Sequence, residues 1–91
     1  MPLVKSIDQK ATQERIVTVV QRVFDERSII RPVSPDDVLI EVGLDSVDVV
    51  QLVLLVESEF DLMIPIDDIK PSNFQSIASI SRLVAQLLSE Q

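Results

Sequence analysis

Three segments of this chain repeat apolar residues at the helical period, and none alternates at the strand period. Ile16, Val19, Val20 and Val23 stand at i, i+3, i+4 and i+7, with Phe24 beside them. Ile80, Leu83, Val84 and Leu87 repeat that spacing, and Ile77 and Leu88 extend it. Between them, Val49, Leu52, Val53, Val56 and Phe60 fall on one side of a helix drawn at about 100° per residue. The valines of 47–56 favour a strand by propensity, but no turn residues punctuate them. A helix with one apolar stripe must bury it against a neighbour. The chain is thereby confined to a small helical bundle.

Breaker residues set the boundaries. Ser6 followed by Gln9 suits a capping box that starts the first helix early. That helix should end near Ser28, because Ile29 and Ile30 lead into Arg31-Pro32. Residues 31–44 read RPVSPDDVLIEVGL and hold two prolines and the only glycine. They predict a long ordered loop, pinned by Val38, Leu39, Val42 and Leu44. A loop this long in so short a chain is often functional. The second helix should run from Ser46 to Phe60. IDDI, between Pro65 and Pro71, suits one short helical turn, and the last long helix should begin near Ser76. The expected architecture is all-α: a four-helix bundle, three long helices and one short, with a long first loop. One domain should span residues 1–91, with its core at about 10–89 and frayed ends at 1–5 and 90–91.

Composition narrows the function. The chain has 8 basic and 15 acidic side chains, a net charge of −7. That disfavours nucleic acid and anionic membrane surfaces, which are bound through Lys and Arg. There is no Cys and no His. Disulfides, thiolate nucleophiles, the commonest general base and the commonest metal ligand are all missing. An enzyme working alone is not expected. MPLVKSIDQK has no apolar signal core. The longest apolar run, Leu52 to Val56, is far too short to span a bilayer. A cytoplasmic protein is expected.

The charge is uneven. Residues 32–69 hold ten acidic side chains and no basic one. This block is either a solubilising surface or a docking face for basic partners.

Inside the block lies Glu41-Val-Gly-Leu-Asp-Ser-Val-Asp48. The structural reading is simple: Asp45 or Ser46 caps a helix, and Gly43 permits the turn. The functional reading asks what a serine here could carry. A helix N-terminus presents unpaired N–H groups and the positive end of a dipole. A phosphate esterified to Ser46 would suit that place, and a modifying enzyme could reach it.

GLDSVDVVQLVLLVESEFDLMIP resembles the motif of the acyl carrier and peptidyl carrier family: a Gly-x-Asp-Ser turn, an aliphatic helix, Glu-x-x-Phe and then Ile-Pro. FQSIASISRLV resembles the family's last helix. The resemblance covers about residues 10–89. It implies three long helices and one short one around Ile66–Ile69. It implies a 4′-phosphopantetheine arm on Ser46, transferred from coenzyme A by a phosphopantetheinyl transferase. The arm's thiol holds an acyl or aminoacyl thioester, so the working sulfur is not protein sulfur. Asp45 would help position the metal–coenzyme A complex.

The second helix has a second apolar stripe. On geometry it is either buried under the 29–44 loop or exposed to a partner. The resemblance implies the latter, through Val47, Val50, Gln51 and Leu54, joined by Leu44, Ile66 and Ile69. Asp48 and Glu57 would pair with basic residues of partners such as an adenylating enzyme, acyltransferase or ketosynthase. Asp67 and Asp68 suit helix caps as well as docking. Val47, Gln51 and the IDDIKPSNF segment depart from housekeeping fatty-acid carriers. They point to a discrete, monomeric carrier of amino-acid, polyketide or non-ribosomal peptide pathways. The alternatives are a housekeeping fatty-acid carrier and an adaptor that never carries an arm. An enzyme built on Asp67 and Asp68 is disfavoured, because adjacent carboxylates on one turn point apart.

Overall fold

The structure is a computed structural model, and it describes residues 9–90. Helix α1 spans Gln9–Glu26, α2 spans Ser46–Phe60 and α3 spans Ile77–Ser89, with a 3₁₀ turn at Ile66–Asp68. No strand occurs among the described residues. The short fourth element is therefore a single 3₁₀ turn. The Ser6 start expected for the first helix lies outside the described residues. No helix among the described residues is long and apolar enough to cross a membrane.

The stripes read from the sequence form the core. Ile16, Val19, Val20, Val23 and Phe24 of α1 are buried, as are Leu52, Val53, Val56 and Phe60 of α2. Ile77, Ile80, Leu83, Val84 and Leu87 of α3 complete it. Helix α1 lies against both other helices, whereas α2 and α3 have no Cα atoms within 8 Å of each other.

Each end has a local cause. Helix α1 stops because Ser28 turns into the left-handed region (φ 58°), and the Ile29 N–H then donates to the Phe24 carbonyl at 2.8 Å. Such a left-handed residue satisfies carbonyls left open at a helix end. Helix α2 ends the same way at Asp61, φ 52°. Helix α3 begins on a reciprocal cap: Ser79 N–H donates to Ser76 Oγ at 3.2 Å and Ser76 N–H to Ser79 Oγ at 3.0 Å.

Residues 27–45 connect α1 to α2 and are hooked to the entry of α3. Leu39 N–H donates to the Gln75 carbonyl (2.9 Å), and Ala78 N–H donates to that of Pro35 (3.0 Å). Leu39 and Leu44 are buried, and Val42 packs against the core from the side. This pinning fixes where the second helix starts.

Candidate functional site

The start of α2 is built by a reciprocal cap. Asp48 N–H donates to Asp45 Oδ1 at 3.1 Å, and Asp45 N–H donates to Asp48 Oδ2 at 3.0 Å. Asp replaces the usual Glu or Gln of a capping box, and two orphan donors are satisfied. The Asp45 carboxyl is held below the usual carboxylate range, chiefly by the Asp48 N–H, which outweighs an opposing effect of desolvation, with the Arg27 guanidinium adding to the lowering.

The approach to this cap needs a glycine. Gly43 has φ +121°, and a Cβ there would stand 3.2 Å from Ile29 Cδ1. L-residues rarely adopt that conformation. Gly43→Ala should lower unfolding stability by about 1–3 kcal/mol, measured by urea denaturation. A variant as stable as the wild type would show that the turn relaxes without strain.

Ser46 is the first residue of α2 and is exposed. Its hydroxyl has no hydrogen-bond partner among the described residues. It borders a groove of about 550 Å³ lined by Val38, Ile40, Val49, Ile69 and Phe74, with Glu41 and Lys70 among the polar lining groups. An unpartnered alcohol at a helix N-terminus can be esterified without breaking any contact of the fold. The N-terminal N–H groups and dipole favour an anionic ester there.

The second stripe of α2 is open. Val47, Val50 and Leu54 are 72%, 59% and 61% exposed, so the 29–44 loop does not cover them. Ile66 and Ile69 are exposed as well. Gln51 is half-buried, and its Nε2 donates to Glu26 Oε1 at 2.6 Å.

Of the residues expected at a partner surface, two are buried in the molecule and a third has an intramolecular partner. Leu44 is buried in the core, because an apolar residue just before a helix cap turns inward. Asp48 is also buried: its side chain is 5% exposed and its Oδ2 lies 2.7 Å from Arg27 Nη1. A carboxylate removed from water needs such a counter-charge. Glu57 is half-buried and accepts the Ile64 N–H at 2.8 Å, anchoring the chain that leaves α2. Glu41, Asp61 and Asp67 are exposed acids. Asp67 and Asp68 lie in the 3₁₀ turn, and no acidic cluster suited to a metal occurs among the described residues.

Arg27 was not foreseen in the sequence. It follows α1 directly, outside the motif, and reaches Asp45 as well as Asp48. The Asp-x-x-Asp spacing of 45 and 48 is the signal that could have shown the cap. Nothing in the sequence marks its partner. The part of the groove wall from Lys70 to Phe74 was also missed, for lack of any periodicity there.

Comparison with known proteins places this geometry. Residues 14–87 match the family described as phosphopantetheine attachment site. The chain is 38% identical to aminoacyl carrier protein 2 of Bradyrhizobium diazoefficiens, over 84% of this chain and 85% of that protein. It is 40% identical to aminoacyl carrier protein 1 of the same organism, over 79% of this chain and 80% of that one. Its fold matches a chain in the crystal structure of Bradyrhizobium japonicum glycine:[carrier protein] ligase complexed with glycylated carrier protein. That match has a TM-score of 0.74 and 37% identity, covering 80% of this chain and 97% of the other. A second complex of that ligase, with cognate carrier protein and an analogue of glycyl adenylate, matches with a TM-score of 0.76 and 37% identity, over 84% and 97% of the two chains. This chain belongs to the phosphopantetheine attachment family, as a carrier protein whose prosthetic group is a covalently bound 4′-phosphopantetheine.

Proposed function

We propose that Ser46 carries the arm and that the chain is an aminoacyl carrier. The observation that carries this reading is the exposed, unpartnered Ser46 hydroxyl at the first position of α2, opening on an apolar groove. The residues fit the group: the hydroxyl takes the phosphodiester, and the groove accepts the uncharged part of the arm. When bound, the arm supplies the thiol that this Cys-free chain lacks. The protein's own part is to hold the attachment point and to present a recognition face. It does no bond-making chemistry on the cargo.

The cargo class follows from the relatives, which are aminoacyl carriers. The loading partner is then an adenylating ligase that passes an activated amino acid to the thiol. A phosphopantetheinyl transferase acts first. The same reading makes the chain a single, monomeric carrier domain in the cytoplasm, where coenzyme A is available. The 3₁₀ turn at Ile66–Asp68 takes the part of the short fourth helix.

Val47, Val50 and Leu54, with Ile66 and Ile69, form the face offered to those enzymes. Such contacts are small and brief, and one or two apolar anchors dominate them. Leu54→Arg should lower kcat/KM for loading by the ligase by about tenfold or more. Because Leu54 is 61% exposed, unfolding stability should move by no more than about 0.5 kcal/mol. Unchanged loading would remove Leu54 from the face.

The attachment test is direct. The folded chain is incubated with coenzyme A and a broad-specificity transferase, and its intact mass is followed. The mass should rise by one phosphopantetheine, and fragmentation should put it on Ser46. A folded wild type that gains nothing sinks this reading.

A further inference from the structure

Arg27 lies outside every motif, yet it touches both carboxylates that flank Ser46. Its Nη1 is 2.7 Å from Asp48 Oδ2 and 3.4 Å from Asp45 Oδ2. Asp48 Oδ2 also accepts the Asp45 N–H, at 3.0 Å. The oxygen that ties down the cap backbone is therefore itself tied to α1. The Asp48 side chain is 5% exposed, so water competes little for it. A planar guanidinium can donate to two acceptors at once, which an ammonium does poorly. Only Ser46 and Val47 lie between the two clamped residues.

We propose that Arg27 is a positioning residue for phosphopantetheine transfer to Ser46. By holding Asp45 and Asp48 from the end of α1, it fixes the direction in which the Ser46 hydroxyl leaves the helix. This rests on Ser46 being the attachment residue. In the transfer, Ser46 Oγ bonds to the phosphorus of coenzyme A that bears the pantetheine. The P–O bond of the pyrophosphate bridge breaks, and adenosine 3′,5′-bisphosphate leaves with the electron pair. The hydroxyl proton passes to a base of the transferase. Such displacement depends on the angle and distance of the attacking oxygen, and small misplacements slow it by large factors. Arg27 acts through the two aspartates and touches no reacting atom.

A purely structural role is the rival explanation, and Arg15 supplies the control. Arg15 also joins α1 to α2, through Glu59 Oε2 at 2.8 Å. That contact sits at the far end of α2, with the guanidinium 4.3 Å from the Phe60 ring centre. The experiment is steady-state kinetics with coenzyme A and the transferase. It compares wild type, Arg27→Gln, Arg27→Lys and Arg15→Gln, each confirmed as folded by circular dichroism. Arg27→Gln should lose about tenfold in kcat with KM unchanged. Arg27→Lys, whose ammonium serves one carboxylate, should lose about threefold. Arg15→Gln should keep the wild-type rate. An Arg27→Gln rate equal to that of Arg15→Gln, or a loss confined to KM, overturns the proposal. If Arg27→Gln does not fold, Arg27→Lys decides: a wild-type rate overturns the proposal and a partial loss of kcat supports it. A wild type that takes up nothing sinks the attachment reading, and this proposal with it. A modified wild type beside unimpaired Arg27 variants sinks this proposal alone.

Discussion

Ser46→Ala will take up no phosphopantetheine under conditions that convert the wild type completely. The substitution removes one exposed hydroxyl that has no partner in the fold. The cap that starts α2 belongs to Asp45 and Asp48, and both of its hydrogen bonds remain. Alanine is also well suited to a helix. Stability should therefore stay within about 0.5 kcal/mol of wild type, and the loss can be assigned to the hydroxyl itself. Three other serines are held inside the fold or in a cap. Ser79 and Ser81 are buried, and Ser76 is occupied by its cap with Ser79. A full mass gain on the alanine variant would move the attachment point to another residue and would leave the chain an adaptor as far as Ser46 is concerned.

The second large effect falls on stability. Phe24 is fully buried in α1, and its carbonyl also accepts the Ile29 N–H that ends the helix. Phe24→Ala should cost about 3–5 kcal/mol, since both burial and packing are lost. A chain of this size has only about 5–14 kcal/mol in total. The melting temperature should fall by at least about 12 °C. Urea denaturation should show a lower midpoint at an unchanged slope, because the surface exposed on unfolding is nearly the same. A loss below about 1 kcal/mol would mean that neighbouring side chains collapse into the space, contrary to the close packing of protein interiors.

The two predictions separate what periodicity encodes from what it does not. Phe24 was legible as core because its helix repeats apolar residues on one face, and α3 was legible for the same reason. The double stripe of α2 was legible too, but which stripe meets solvent was not. That depends on the course of residues 27–45, which carry no period. Ser46 stands out in the sequence because a motif of fixed spacing surrounds it. Asp48 looked like an exposed acid, since its burial depends on a cation 21 residues earlier in the chain. The burial of Leu44 and the backbone hydrogen bond of Glu57 were illegible for a related reason. Their neighbours are backbone and core groups brought together by the fold, and a helical wheel does not show them.

The central place of α1 has a consequence for how the chain is made. The helix that touches both others precedes them in the chain, whereas α2 and α3 share the apolar core without bringing their backbones within 8 Å of each other. On the ribosome, α2 and then α3 each emerge to find α1, the helix each lies closest to, already complete. Helix α2 can begin to bury its apolar side on α1 before α3 is translated to complete the core. Vectorial synthesis and the order of packing thus run the same way, which shortens the time in which half-made chains can associate with one another.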